Sequence, residues 1–166
     1  MDCVLFRHGI AVDREDWERD DAERPLTPKG AARAKEAAAG LLWLDVAPTH
    51  ILSSPYLRAR DTAEVLRDAM RLKAEIKVCA ELRPEAPPEK LLGVLAAMPE
   101  KACVLCVGHE PHLGEAAGVM LFGKPVAGLF LKKAGGGLIR FEGVPKAGRG
   151  QLAWWLGPGP LRRLGG

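Results

Sequence analysis

The chain has 166 residues, enough for one domain to bury its own core without disulfide or metal staples. Apolar residues make up 48% and charged residues 27%, an ordinary globular balance. The net charge of +3 is too small to mark a nucleic-acid surface, and no apolar run nears the ~20 residues that span a bilayer.

The first predicted element is a short buried strand, Cys3-Val4-Leu5-Phe6, with Arg7-His8-Gly9 at its end. Four apolar residues ahead of Arg7 leave no room for a secretory leader, so a cytoplasmic protein is the expectation. Residues 13–24 follow, with seven acidic and three basic side chains among twelve. Such a run reads as a solvated loop. Thr27-Pro28 then opens a helix, threonine as N-cap and proline in the first turn, with an alanine-rich body over 31–44. His50-Ile51-Leu52-Ser53 predicts a second strand. Ser54-Pro55 opens the next helix by the same device, running to about Met70 and placing Arg58 in its first turn. A third strand is expected at Ile76-Lys77-Val78-Cys79, a short helix over 89–98 and a central fourth strand over 102–107. Pro111 starts a helix to about Phe122. Beyond it, Leu129-Phe130-Leu131, 137–141 and 151–156 read as strands divided by glycines. Residues 158–166, rich in glycine and proline, read as an extended, partly mobile tail to a domain spanning 1–157. Strands alternating with helices imply a single-domain α/β fold, a mostly parallel sheet with helices on both faces.

Four cysteines are expected to be reduced and buried. Cys103 and Cys106 have CxxC spacing, yet residues three apart on a strand point to opposite faces and cannot share an ion. His109 and His112 lie three apart without a further ligand cluster, and no metal or other cofactor is expected.

Two histidines carry the chemistry. His8 ends the first strand and His109, in Val107-Gly108-His109-Glu110-Pro111, ends the fourth. Ligands of open α/β sheets bind at strand C-termini, so the two imidazoles can share one crevice. Arg7 adjoins His8, and Arg58 sits where a helix N-terminus also attracts anions. Guanidinium forks match phosphate oxygens, and a neutral imidazole can attack phosphorus and carry the group.

These residues resemble those of the histidine phosphatase, or phosphoglycerate-mutase-like, superfamily. Arg7-His8-Gly9 looks like its signature. Arg24-Pro25-Leu26-Thr27-Pro28-Lys29-Gly30 is similar to its R-x-L-T-x-x-G stretch, and residues 53–63 to its S-S-P-x-x-R-A-x-x-T-A helix start. Gly108-His109 is similar to its second-histidine motif. The short length and Arg24-Pro25-Leu26-Thr27 look most like the minimal, SixA-type phosphohistidine phosphatases.

The resemblance implies a metal-independent phosphatase with a covalent intermediate on His8. Arg7, Arg58 and His109 would hold phosphoryl oxygens, with Gly9 and Arg24 at the substrate. For the proton donor it offers Glu81, after the third strand, or Glu110, directly after the second histidine and otherwise a substrate-side residue. A phosphohistidine substrate weakens the need for either, since imidazole is a better leaving group than an alkoxide. The implied partner is a protein bearing phosphohistidine. A small phosphomonoester is the alternative substrate. A phosphate-binding regulatory module without turnover is the alternative of another class. No nucleic-acid or membrane partner is expected.

Overall fold

The Cys3-Val4-Leu5-Phe6 run has no polar alternation because both of its faces are covered. It forms most of β1 (Asp2–Arg7), an interior strand of the sheet. The computed structural model describes residues 1–166. β2 (His50–Ser53), β3 (Ile76–Val78) and β4 (Cys103–Gly108) are parallel to β1, while β5 (Gly136–Arg140) pairs antiparallel with β1 and β6 (Gln151–Leu156) antiparallel with β5. The order is β3-β2-β4-β1-β5-β6. Five strands run in one direction and β5 alone runs against them, which makes the mixed, mostly parallel sheet expected of this fold class.

Five helices cover it: α1 (Pro28–Trp43), α2 (Leu57–Ala69), α3 (Pro88–Ala96), α4 (His112–Phe122) and α5 (Pro158–Leu164). Alternate residues of each central strand feed opposite cores. Leu5 and Cys106 pack with Leu91, Leu95, Leu113 and Met120 of α3 and α4. Val4, Phe6, Leu105 and Val107 pack with Leu41, Leu66 and Leu161 of α1, α2 and α5. The cores hold 17 and 16 buried residues, so neither face dominates and the domain is three-layered. Cys106 belongs to the first core and Cys103 packs against the second, on opposite faces of the sheet as their spacing requires. All four cysteines are free. No helix is long and apolar enough to cross a membrane.

α1 begins as its sequence predicts. Thr27 Oγ1 accepts from the Gly30 N–H at 3.0 Å, with Pro28 in the first turn. The same turn grips the chain just after His8: the Thr27 N–H and hydroxyl both donate to the Ile10 carbonyl, at 2.9 and 3.1 Å. Gly30 permits this contact, since a Cβ there would lie 2.0 Å from the Ile10 oxygen.

Three expectations are corrected. α2 starts at Leu57, with Tyr56 as its N-cap residue and no side-chain capping bond. The only backbone N–H that the Ser54 hydroxyl accepts is that of Tyr56 itself, at 3.4 Å, and its shorter contact, at 2.8 Å, is with His109. Leu129-Phe130-Leu131 is not a strand; its backbone is held by side chains of Glu110 and Arg7 instead of a ladder. Residues 158–164 are not extended but form α5. Proline costs little in a helix's first turn, and burial of Leu161 under α1 draws the segment in. Gly40 allows α1 to approach, because a Cβ there would meet the Leu161 oxygen at 2.0 Å.

Candidate active site

Strand register brings the two histidines together. Arg7 pairs with Gly108 across parallel β1 and β4, so His8 and His109 are the next residues out at the carboxyl ends of adjacent strands. The His8 N–H donates to the Gly108 carbonyl at 3.0 Å. The ring centroids stand 5.0 Å apart, tilted by 56°. Both side chains are buried, with 5% and 2% exposure.

The tautomer of His8 follows from its neighbour. Nδ1 lies 2.8 Å from the Gly9 carbonyl, which can only accept, so Nδ1 carries the proton and Nε2 the lone pair. Gly9 is itself fixed: its N–H donates to Thr62 Oγ1 at 3.0 Å, and the Thr62 hydroxyl donates to the Arg58 carbonyl at 2.6 Å. Burial lowers the His8 pKa to about 3, with Arg58, Arg7 and Lys133 pushing the same way and the Gly9 bond opposing. The imidazole is therefore neutral at physiological pH.

Arg58 is 4% exposed in the first turn of α2, and its Nε donates to His8 Nε2 at 3.3 Å. The rest of its fork is held by Asp21, with Nη1 on the backbone oxygen at 2.7 Å and Nη2 on Oδ2 at 3.0 Å. Tyr56 lies under the guanidinium at 4.8 Å and edge-on to His109 at 5.1 Å. Arg7 is stacked over Phe130 at 5.1 Å and donates through Nη1 to the Leu131 carbonyl at 2.8 Å, leaving a buried Nε–H without a partner. Burial lowers the pKa of both arginines, opposed by Glu110 at Arg7 and by Asp21 at Arg58. His109 Nε2 lies 2.8 Å from the Ser54 hydroxyl, and its buried Nδ1 has no partner. A hydroxyl can donate or accept, so this contact is compatible with either tautomer of His109. Burial lowers the His109 pKa to about 2, reinforced by His8, Arg58, His112 and Arg7.

Residues 3–84 match the histidine phosphatase superfamily, branch 1. The chain is 44% identical over 138 residues to an uncharacterized protein of Picosynechococcus, covering 81% of this chain and 82% of that one. It is 28% identical over 165 residues to phosphohistidine phosphatase SixA of Escherichia coli, covering 98% and 97% of the two chains. The structure of the protein histidine phosphatase SixA complexed with tungstate superposes with a TM-score of 0.84 at 26% identity, over 97% of this chain and 99% of that one. This chain belongs to the histidine phosphatase superfamily, in its SixA-type branch. Its activity is that of a phosphatase, a hydrolase of phosphoryl groups.

The other residues that the sequence singles out in this SixA-type phosphatase lie behind the histidines or apart from them. Arg24 donates through Nε to Asp21 Oδ1 at 2.9 Å and through Nη1 to the Val12 carbonyl at 2.6 Å, and makes no hydrogen bond to either histidine. Glu110 accepts backbone N–H groups from Leu131 at 2.8 Å and Gly114 at 3.3 Å. Its carboxylate thus holds the segment whose carbonyl anchors Arg7. Burial raises the Glu110 pKa, against the pull of those backbone bonds and Arg7. Glu81 stands on the 3-10 turn Ala80–Leu82 and accepts from the Cys79 thiol at 3.3 Å, with no hydrogen bond to His8, Arg7, Arg58 or His109.

Three side chains escape the sequence reading. Asp21 looks like one more charge in a solvated run; only its position three residues before Arg24 hints at pairing. Ser54 and Thr62 sit inside the matched helix-start stretch, where they read as capping and helix-face residues rather than partners of His109 and Gly9.

Proposed function

We propose that this phosphatase takes a phosphoryl group from a phosphohistidine of a protein partner onto Nε2 of His8 and passes it to water. The observation that carries the reading is the buried, neutral His8, its Nε2 lone pair fixed toward the Arg58 side chain by the Nδ1–Gly9 bond. Attack on phosphorus forms the Nε2–P bond as the P–N bond of the substrate breaks. The substrate imidazole leaves neutral when its other nitrogen carries a proton, which reduces the demand for a strong acid. Arg58 Nε–H, resting on the lone pair, turns to a phosphoryl oxygen as phosphorus arrives. Arg7 and His109 receive the other equatorial oxygens. Water then attacks phosphorus, Nε2 recovers its lone pair and inorganic phosphate departs. Fixed positive charge stabilises the transferring group, so the reading requires no metal.

The protein substrate is supported by the likeness to SixA over nearly the whole chain and by the short path between β3 and α3. That path holds a single 3-10 turn and no helical insertion that would enclose a small phosphomonoester. The test compares hydrolysis of a phosphohistidine-bearing protein with that of p-nitrophenyl phosphate, with and without EDTA. The expected kcat/KM is at least about tenfold higher for the protein, with no change on chelation. A preference for the ester moves the substrate to small phosphomonoesters. A chelator-sensitive rate restored by a divalent ion overturns metal independence.

A further inference from the structure

Asp21 belongs to the acidic run between β1 and α1, yet it is not a solvated rim charge. Its Oδ2 and backbone oxygen take the two outer nitrogens of Arg58 at 3.0 and 2.7 Å, which leaves the Nε edge facing His8 Nε2 at 3.3 Å. Its Oδ1 accepts from Arg24 Nε at 2.9 Å, with Arg14 Nη1 at 3.4 Å. Burial alone would raise the carboxyl pKa, but the bonds and charges of Arg24 and Arg58 hold it below the usual carboxylate range. The group is thus an anion across two guanidiniums, the arrangement two oxygens of a phosphoryl dianion would adopt. Neighbouring carboxylates are engaged otherwise: Asp20 caps the Ala22 N–H at 2.9 Å and Glu23 pairs with Arg19.

We propose that Asp21 is a positioning residue that aims Arg58 at His8 and whose charge weakens the hold of Arg58 on phosphate, promoting product release. The proposal rests on the phosphoryl-transfer reading above. Arg58 makes its outer hydrogen bonds on Asp21, which, with Tyr56 beneath the guanidinium, sets the angle at which Nε meets the nucleophile. Arg58 without this counter-ion would bind substrate and product dianions alike more tightly. Such uniform binding lowers KM without raising kcat. A carboxylate beside the bound dianion opposes it.

The test uses the full chain with Asp21→Asn, which keeps the shape and removes the charge, and Asp21→Glu, which keeps the charge and shifts the aim. Calorimetry gives Kd for inorganic phosphate, steady-state kinetics give kcat and KM, and thermal unfolding identifies a variant that has not folded. Asp21→Asn is expected to bind phosphate at least about fivefold more tightly while kcat falls at least about tenfold. Asp21→Glu is expected to lose kcat with phosphate affinity within about twofold of wild type, and it carries the test alone if the asparagine variant does not fold. Weaker phosphate binding together with lower kcat in Asp21→Asn would mark a mere structural brace and overturn the proposal. Unchanged kcat in either folded variant would overturn it as well. Failure of the wild type to hydrolyse either substrate would instead refute the phosphoryl-transfer reading. The phosphate-binding comparison would then still decide whether the charge of Asp21 opposes an anion.

Discussion

Acid should unfold this protein through its two active-site histidines. In the fold the His8 and His109 pKa values are pushed down to about 3 and about 2, chiefly by burial. In the unfolded chain both titrate near the ordinary value of about 6.5. Between those limits the unfolded chain binds protons that the folded one refuses, so stability rises with pH. The contribution is fully present above about pH 6.5 and is lost as pH falls toward the folded values. From pH 7 to pH 5 each histidine removes about 2 kcal/mol, and the pair about 4 kcal/mol, a sizeable part of a domain's ~5–15 kcal/mol. Urea unfolding followed by tryptophan fluorescence at the two pH values measures it. His8→Asn with His109→Asn should abolish about 4 kcal/mol of the pH dependence, and each single variant about half of that. His112, also lowered by burial, is present in every variant and drops out of the comparison. Equal pH dependence in wild type and double variant, or an imidazole titration of His8 with a midpoint near 6.5, would refute the reasoning.

Arg58→Ala should lower kcat/KM by about 100- to 1,000-fold, whereas Arg60→Ala, two residues on and exposed on the outer side of α2, should change it less than about threefold. Equal losses in steady-state assays would show that the wrong face of α2 has been assigned. Gly30→Ala should cost about 1–3 kcal/mol in denaturant unfolding, because its Cβ would press on the Ile10 carbonyl next to the His8-Gly9 turn. An unchanged midpoint would mean that α1 can move away freely.

What was legible in the sequence was whatever depends on local pattern. Two apolar runs ending in histidine predicted two buried strands, and a shared crevice at their ends follows once the strands are neighbours. The structure makes β1 and β4 adjacent and parallel and brings Arg7, His8, Arg58 and His109 together. Thr27-Pro28 announced α1 because a cap is a contact over three residues. Features that depend on distant partners were not legible. Asp21 reads as solvated until α2 delivers Arg58 from 37 residues away. Leu129-Phe130-Leu131 has the composition of a strand, but its backbone groups are claimed by Arg7 and Glu110 rather than by a neighbouring strand. Gly157-Pro158-Gly159-Pro160 reads as a helix-free stretch until Leu161 finds its place beneath α1. Glu81 and Glu110 occupy loop positions that sequence alone cannot aim; the structure ties one to the Cys79 thiol and the other to backbone N–H groups.

The central claim is that phosphorus passes through His8 Nε2, and trapping the intermediate tests it most directly. The chain is mixed with a protein carrying radiolabelled phosphohistidine, quenched within a turnover in alkali, digested and mapped. The account predicts label on the peptide containing His8, stable to alkali and lost in acid as an N-phosphoryl bond should be, and absent from His8→Asn. Label on another residue, or rapid wild-type turnover with no label retained under conditions that preserve phosphohistidine, would contradict it.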